Sequence, residues 1–146
     1  MAGPDALPGH PQAHIDYAIE PDLPVAQFRA VLIASTLGER RPVEDHDRLE
    51  RMLRGAQVIA TARDRGRLVG VSRAITDFSF CCYLSDLAVD AAYQRRGIGR
   101  RLIARTHAAA GPETMLVLLA APAAEGYYPH VGLEQFPSCW RIPRLR

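Results

Sequence analysis

Polar and apolar residues alternate through His14-Ile15-Asp16-Tyr17-Ala18-Ile19-Glu20, the period of a half-buried strand. Pro21-Asp22-Leu23-Pro24 interrupts it. Residues 24–36 then place Val25, Phe28 and Leu32, with Ala26, Arg29 and Ile33, at helical spacing, and Gly38 is expected to end that helix. After Arg41-Pro42, residues Glu44 to Arg54 read as a second amphipathic helix with Leu49, Met52 and Leu53 inward. From Gln57 the period shortens to two. Gln57–Arg63 and Arg67–Thr76 flank Asp64-Arg65-Gly66, a hairpin pattern. Ser79 to Val89 predicts a long, largely apolar strand. A helix over about Gly97 to Ala109 puts Ile98, Leu102, Ile103 and Thr106 on one face before Gly111-Pro112 stops it. Met115-Leu116-Val117-Leu118-Leu119 is a continuous apolar run, the pattern of a strand buried on both faces. A short helical turn near Ala123 to His130 and two brief strands, Leu133–Phe136 and Cys139–Ile142, complete the chain.

The order β-α-α-β-β-β-α-β-α-β-β predicts a mixed central sheet flanked by helices, in the α/β or α+β class. Residues 14–146 read as one domain and residues 1–13, rich in Pro, Gly and Ala, as a loose tail. Within that order, one junction stands out. The strand ending at Val89-Asp90 leads through Ala91-Ala92-Tyr93-Gln94-Arg95-Arg96 to Gly97-Ile98-Gly99 and a helix start. The first backbone N–H groups of a helix lack intrahelical acceptors, and its dipole favours an anion there. Two glycines alone serve many turns. Yet Arg95, Arg96, Arg100, Arg101 and Arg105 crowd a helix start where each cation is mildly unfavourable, by up to about 1 kcal/mol. A polyanionic ligand reverses that sign; a solvated basic face is the simpler alternative.

Composition narrows the chemistry. With 146 residues, 48% apolar and 23% charged, the chain has the make-up of a folded globular protein and not of a disordered one. No apolar run reaches the ~20 residues needed to span a membrane. Met1 to Gly9 lacks the charged and apolar regions of a signal peptide, so a cytoplasmic protein is expected. All 18 basic residues are Arg, and there is neither Lys nor Asn, which excludes a Walker-type phosphate loop and Schiff-base chemistry. A net charge of +2 gives no argument for nucleic acid. Cys81, Cys82 and Cys139 show no metal-binding spacing and read as buried free thiols, and no metal is expected. His46, His107 and His130 show no pairing that suggests a triad.

Gln94-Arg95-Arg96-Gly97-Ile98-Gly99 resembles the Q/R-x-x-G-x-G/A motif of the GNAT superfamily of acyl-CoA-dependent N-acetyltransferases. Leu87-Ala88-Val89 followed by Ala92-Tyr93 is similar to that family's approach to the loop, and the element order matches its fold. The resemblance implies acetyl-CoA as co-substrate. Backbone groups of Leu87, Ala88 and Val89 would pair with the pantetheine arm. Gln94 and the backbone N–H groups from Arg95 through Arg96, Gly97, Ile98 and Gly99 to Arg100 would hold the pyrophosphate. The strands before and after this helix would part to admit the thioester. The acceptor would be an amine of a small molecule or peptide, attacking directly without a covalent enzyme intermediate.

Ala124-Glu125-Gly126-Tyr127-Tyr128-Pro129-His130-Val131-Gly132-Leu133 is similar to the family's A-x-x-F-Y-x-x-x-G-F segment. Its second aromatic aligns with Tyr128, which would protonate the departing thiolate; a phenol with an ordinary pKa near ~10 carries the proton required. Tyr127 reads as a core aromatic. Asp86, on the strand beside the expected thioester, is a candidate base for the amine, with pairing to an arginine as the alternative. Some relatives carry glutamate where Tyr83 stands, and many have Asn near the end of the Met115 strand, where Leu119-Ala120-Ala121-Pro122 stands. Glu44, Asp45 and Asp47 would fall near the acceptor side, although capping and solvation explain them too. Trp140 reads as core or as a homodimer contact. The rival function is a CoA-binding sensor of the same fold with little turnover.

Overall fold

The computed structural model describes residues 14–146; the tail expected over residues 1–13 lies outside them. Five strands, β1 (Ile15–Ile19), β2 (Val58–Asp64), β3 (Arg67–Thr76), β4 (Cys81–Val89) and β5 (Met115–Val117), form one sheet in that order. The first four are antiparallel. β5 joins β4 in parallel, because the connection between them crosses over through helix α3 (Ile98–Ala110). Helices α1 (Val25–Ala34) and α2 (His46–Arg54) occupy the other face. No described helix is long and apolar enough to cross a membrane.

α3 buries the stripe its sequence predicts, and α2 buries Leu49 and Leu53 of its own. In α1 Phe28 and Leu32 are buried as expected, but Ala26 and Ile33 are exposed and Val31 is buried in their place. Phe28, Val31 and Leu32 of α1 and Leu49 and Leu53 of α2 pack on Ile59, Val71 and Ala88. Ile98 and Leu102 of α3 pack on Ala60, Ala62 and Val69. Thr106, on the same stripe, meets Ser72 of β3 through a 2.5 Å hydroxyl contact, so neither buried hydroxyl lacks a partner. The β2–β3 turn places Arg65 and Gly66 both at positive φ (48° and 83°), the two-residue geometry whose twist suits antiparallel strands.

The C-terminal part departs from the expectation. β5 pairs over three residues only, and Met115 is 57% exposed, so the apolar run is an edge strand and not one buried on both faces. A run of apolar residues has the same appearance at an edge as at the centre of a sheet. Residues 133–146 form no strand. Pro137 and Pro143 remove backbone donors there, and a three-residue edge offers little to pair with. The turn near 123–130 is two 3₁₀ turns, Pro122–Ala124 and Tyr128–Val131. Trp140 is 93% exposed and therefore no part of this chain's core. Of the thiols only Cys82 is buried; Cys81 and Cys139 are exposed.

The β3–β4 turn is closed by Asp77, whose Oδ1 accepts from the N–H groups of Ser79, Phe80 and Cys81 at 2.8–3.1 Å. These bonds favour the charged form and hold the carboxyl at about 2. A pKa lowered by folding stabilises the native state above the unfolded value near ~3.9 and ceases to as pH falls toward 2. The urea midpoint of the parent protein is therefore expected to fall more steeply between pH 5 and 2 than that of Asp77→Ala. Parallel curves would show that this turn contributes nothing in that window.

Candidate active site

The site begins where β4 loses its partner. β4 and β5 pair at Cys81–Met115, Cys82–Leu116 and Tyr83–Val117, and the ladder stops there. Among the described residues no strand lies beside the β4 edge away from β3 from Leu84 to Val89. This stretch contains Leu87, Ala88 and Val89, whose backbone is expected from the resemblance to pair with the pantetheine arm. At its end Asp90 accepts from Ala92 N–H (2.9 Å) and from Arg67 (2.7 Å), and Gln94 donates to the Val89 carbonyl (3.1 Å). Tyr93 donates its hydroxyl to Asp64 Oδ2 at 2.5 Å, tying the loop to the β2–β3 hairpin. That bond keeps the proton on Tyr93 and holds Asp64 below the usual carboxylate range. The loop is thus pinned at both ends.

Gly97, at φ 78°, turns the chain into α3. No side chain caps the helix, and its first intrahelical bond is Arg101 N–H to the Gly97 carbonyl (3.1 Å). The N–H groups of Ile98, Gly99 and Arg100 are left without an intrahelical acceptor, at the positive end of the dipole. No acidic residue sits in the first turn. The five arginines sort into two groups. Arg96 stacks on Tyr93 (5.0 Å to the ring centroid), and Arg101 and Arg105 lie over Tyr17 (5.7 and 5.4 Å). Arg95, at φ 63°, and Arg100 are exposed at the helix mouth. None of the five forms an ion pair among the described residues. Donors that lack acceptors and cations that lack carboxylates are what an oxyanion-rich ligand requires.

Gly99 answers to a second constraint. A Cβ there would meet the Tyr127 hydroxyl at 2.5 Å, so the glycine lets that phenol close onto the start of α3. Tyr127 is 38% exposed and is not the core aromatic expected from sequence. Tyr128 meets it edge to face, with centroids 5.3 Å apart, and is the more buried of the two. Burial, and then the neighbouring Tyr127, push the Tyr128 pKa up, so the phenol is protonated at neutral pH.

Asp86 is fully enclosed. Oδ1 accepts from Arg41 Nε (2.5 Å) and Oδ2 from Arg73 Nε, and the side chain has no solvent exposure. Of its two expected readings, the structure displays the arginine pairing. Sequence reasoning missed Arg41 and Arg73, which lie 45 and 13 positions from Asp86, and no spacing rule links such residues. The acidic group named from sequence has ordinary surface roles: Asp45 caps α2 at Arg48 N–H (3.0 Å), Glu44 meets Arg29 (3.3 Å), and Asp47 is 91% exposed. His107 contacts the Thr114 carbonyl. Among the described residues no three His, Cys, Asp or Glu side chains gather as a metal site.

The crossover sheet thus stops pairing beside an uncapped helix start, with Arg95 and Arg100 exposed at its mouth. The family model for the acetyltransferase (GNAT) domain matches residues 36–138, and this chain belongs to that family. No curated protein matches its sequence. Solved structures of like fold include a GNAT-family acetyltransferase from Streptococcus pneumoniae (22% identity, 91% of this chain and 98% of that one, TM-score 0.71). Others are the aminoglycoside N-acetyltransferase AAC(6')-Iy in complex with CoA (15%, 96% and 99%, 0.70) and an aminoglycoside acetyltransferase from an uncultured soil sample in complex with sisomicin (20%, 90% and 96%, 0.63). At these identities the likeness is one of fold.

Proposed function

We propose that this chain transfers the acetyl group of acetyl-CoA to an amine by direct attack on the thioester. The observation that carries the reading is the uncapped N terminus of α3, with Arg95 and Arg100 at its mouth, continuous with the unladdered β4 edge. The CoA-bound structure of the like-folded AAC(6')-Iy supports the choice of donor. In this reading the N–H groups around Gly97 to Arg100 hold the pyrophosphate, and Leu87 to Val89 pair with the pantetheine arm as an added strand would. The amine nitrogen forms the new bond to the acetyl carbon and the C–S bond breaks. The thiolate takes the Tyr128 proton, and the amine's proton leaves to water. Holding both reactants in one cleft supplies much of the rate. Asp86 stands outside this chain of proton transfers, because both its oxygens already accept from guanidinium groups.

The test is Tyr128→Phe. Loss of a positioned general acid is expected to lower kcat by on the order of 10²-fold, while the Kd for CoA stays within about twofold. CoA release is followed by mass spectrometry, since exposed Cys81 and Cys139 would react with thiol reagents. An unchanged kcat removes Tyr128 from the chemistry. If no amine stimulates CoA release while acetyl-CoA still raises Tm, a CoA-binding sensor is the correct reading.

A further inference from the structure

Two guanidinium groups share one carboxylate where β4 stops pairing with β5. Arg73 and Asp86 pair across β3 and β4, whereas the next pair is Ala74 and Leu84, so Ser85 is the extra residue of a bulge. Both arginines grip that bulge. Arg73 Nη2 donates to Ser85 Oγ (3.0 Å), and Arg41 Nη2 donates to the Ser85 carbonyl (2.8 Å). Ser85 lies two residues beyond Tyr83, the last β4 residue paired with β5. The cations therefore stand where the unladdered part of β4 begins, ahead of the Leu87 to Val89 segment that the proposed function gives to the pantetheine arm. They reach it from the side of α1 and α2, opposite α3: Arg41 follows the 3₁₀ turn after α1, and Arg73 also donates to the Met52 carbonyl of α2 (3.2 Å).

The charge there does not balance. Two guanidinium groups against one carboxylate leave +1, and among the described residues no second carboxylate lies within 4.0 Å of either. Nor are the donors used up. A guanidinium carries five N–H groups. Arg41 bonds three acceptors in the chain: Asp86, the Arg40 carbonyl and the Ser85 carbonyl. The Arg73 side chain is 8% exposed and the Arg41 side chain 21%, so Arg41 is the one an incoming molecule can touch. Asp86 fixes the Arg41 guanidinium in place through Nε, and Nη1 and Nη2, each already donating to one backbone carbonyl, keep one N–H apiece for a carboxylate or phosphate.

We infer that the acceptor is an amine bearing an anionic group, a carboxylate or a phosphate ester within a few bonds of the nitrogen, which docks on Arg41. This rests on the acetyl-transfer reading and deepens it. It separates the chain from an acceptor such as a polycationic aminoglycoside, because a second or third ammonium would meet unbalanced positive charge at the same place. The inward-facing Asp86 cannot serve such an amine, since it is already engaged by both arginines.

The experiment offers acetyl-CoA and matched amines to the full chain: free amino acids, their amides, the corresponding decarboxylated amines, an amino-sugar phosphate with its unphosphorylated sugar, and an aminoglycoside. Acetylation of the anionic member of a pair with kcat/KM at least tenfold above its neutral partner is expected. The pair that shows the preference tells carboxylate from phosphate. Equal or better use of neutral or polycationic amines overturns the inference and leaves the transferase reading standing. Release of CoA by no amine instead overturns the transferase reading. The anion site is then judged by binding: N-acetylated amino acids must raise the Tm of the CoA-loaded protein more than their amides do, and equal shifts overturn the site. Arg41→Gln is expected to bring the anionic preference close to one. Arg41→Lys, which keeps the charge but gives up the fork, is expected to retain part of it and serves if the first variant does not fold. A preference unchanged in whichever variant folds overturns the role of Arg41.

Discussion

Replacing Asp86 with alanine is expected to cost about 3–5 kcal/mol, the usual penalty for leaving a buried charge without its partner. For a chain of this length that corresponds to a fall in Tm of roughly 10–20 °C. The carboxylate has no solvent exposure, and the Arg73 side chain is 8% exposed, so water cannot replace what is lost. Three segments loosen together, because Asp86 joins β3 through Arg73 and the chain after α1 through Arg41. Asp86→Asn keeps one acceptor oxygen but turns an NH2 toward the other guanidinium and forfeits the charge, and should fall between parent and alanine variant. A triple variant, Arg41→Met, Arg73→Met and Asp86→Leu, should recover most of the loss, since a buried ionic cluster is often replaced by apolar groups at no net cost. Calorimetry of the four proteins checks the set. A Tm of Asp86→Ala within about 3 °C of the parent would show that the cluster does not hold the sheet to its α1–α2 cover.

Gly97→Glu is expected to weaken acetyl-CoA binding by at least ~100-fold, about 2.7 kcal/mol. The reason is not collision within the protein: a Cβ at Gly97 meets nothing within 4 Å. Two other effects operate. At φ 78° a side chain is strained by about 1–2 kcal/mol. The new carboxylate also stands where the helix dipole, the free N–H groups of the first turn and Arg95 would otherwise receive the pyrophosphate, and it repels that group while occupying its donors. Gly97→Ala separates the two, because it carries the backbone strain without the charge. Titration calorimetry should find its Kd within about tenfold of the parent. If Gly97→Glu binds as tightly as Gly97→Ala, the cradle does not hold the pyrophosphate.

The legibility of this fold follows the range of the interactions. α3 was readable because Ile98, Leu102, Ile103 and Thr106 recur at helical spacing, and all four are buried. The strand β3 was readable to its ends, from Arg67 to Thr76, because a tight turn and a change of period bound it. Met115–Leu119 misled because an apolar run reports burial without saying how many neighbours supply it; Met115 turned out to be exposed at the sheet's edge. The terminal strands misled because four-residue fragments between prolines depend on an edge to pair with, and β5 supplies only three residues.

The sequence by itself determined the order of elements as far as β5, the apolar face of α3, and the strand–glycine loop–helix junction with its surplus of arginines. These are local properties, set by periodicity and by the few residues that tolerate positive φ. Only the tertiary structure decided where each charge ends up. It stacked Arg96, Arg101 and Arg105 on aromatic rings and left Arg95 and Arg100 at the cradle. It also closed Asp86 between Arg41 and Arg73, leaving one positive charge unmatched among the described residues. The reason is that an ion pair's partner is chosen by proximity in space after burial, and residues 41, 73 and 86 become neighbours only when β3, β4 and the chain after α1 have packed.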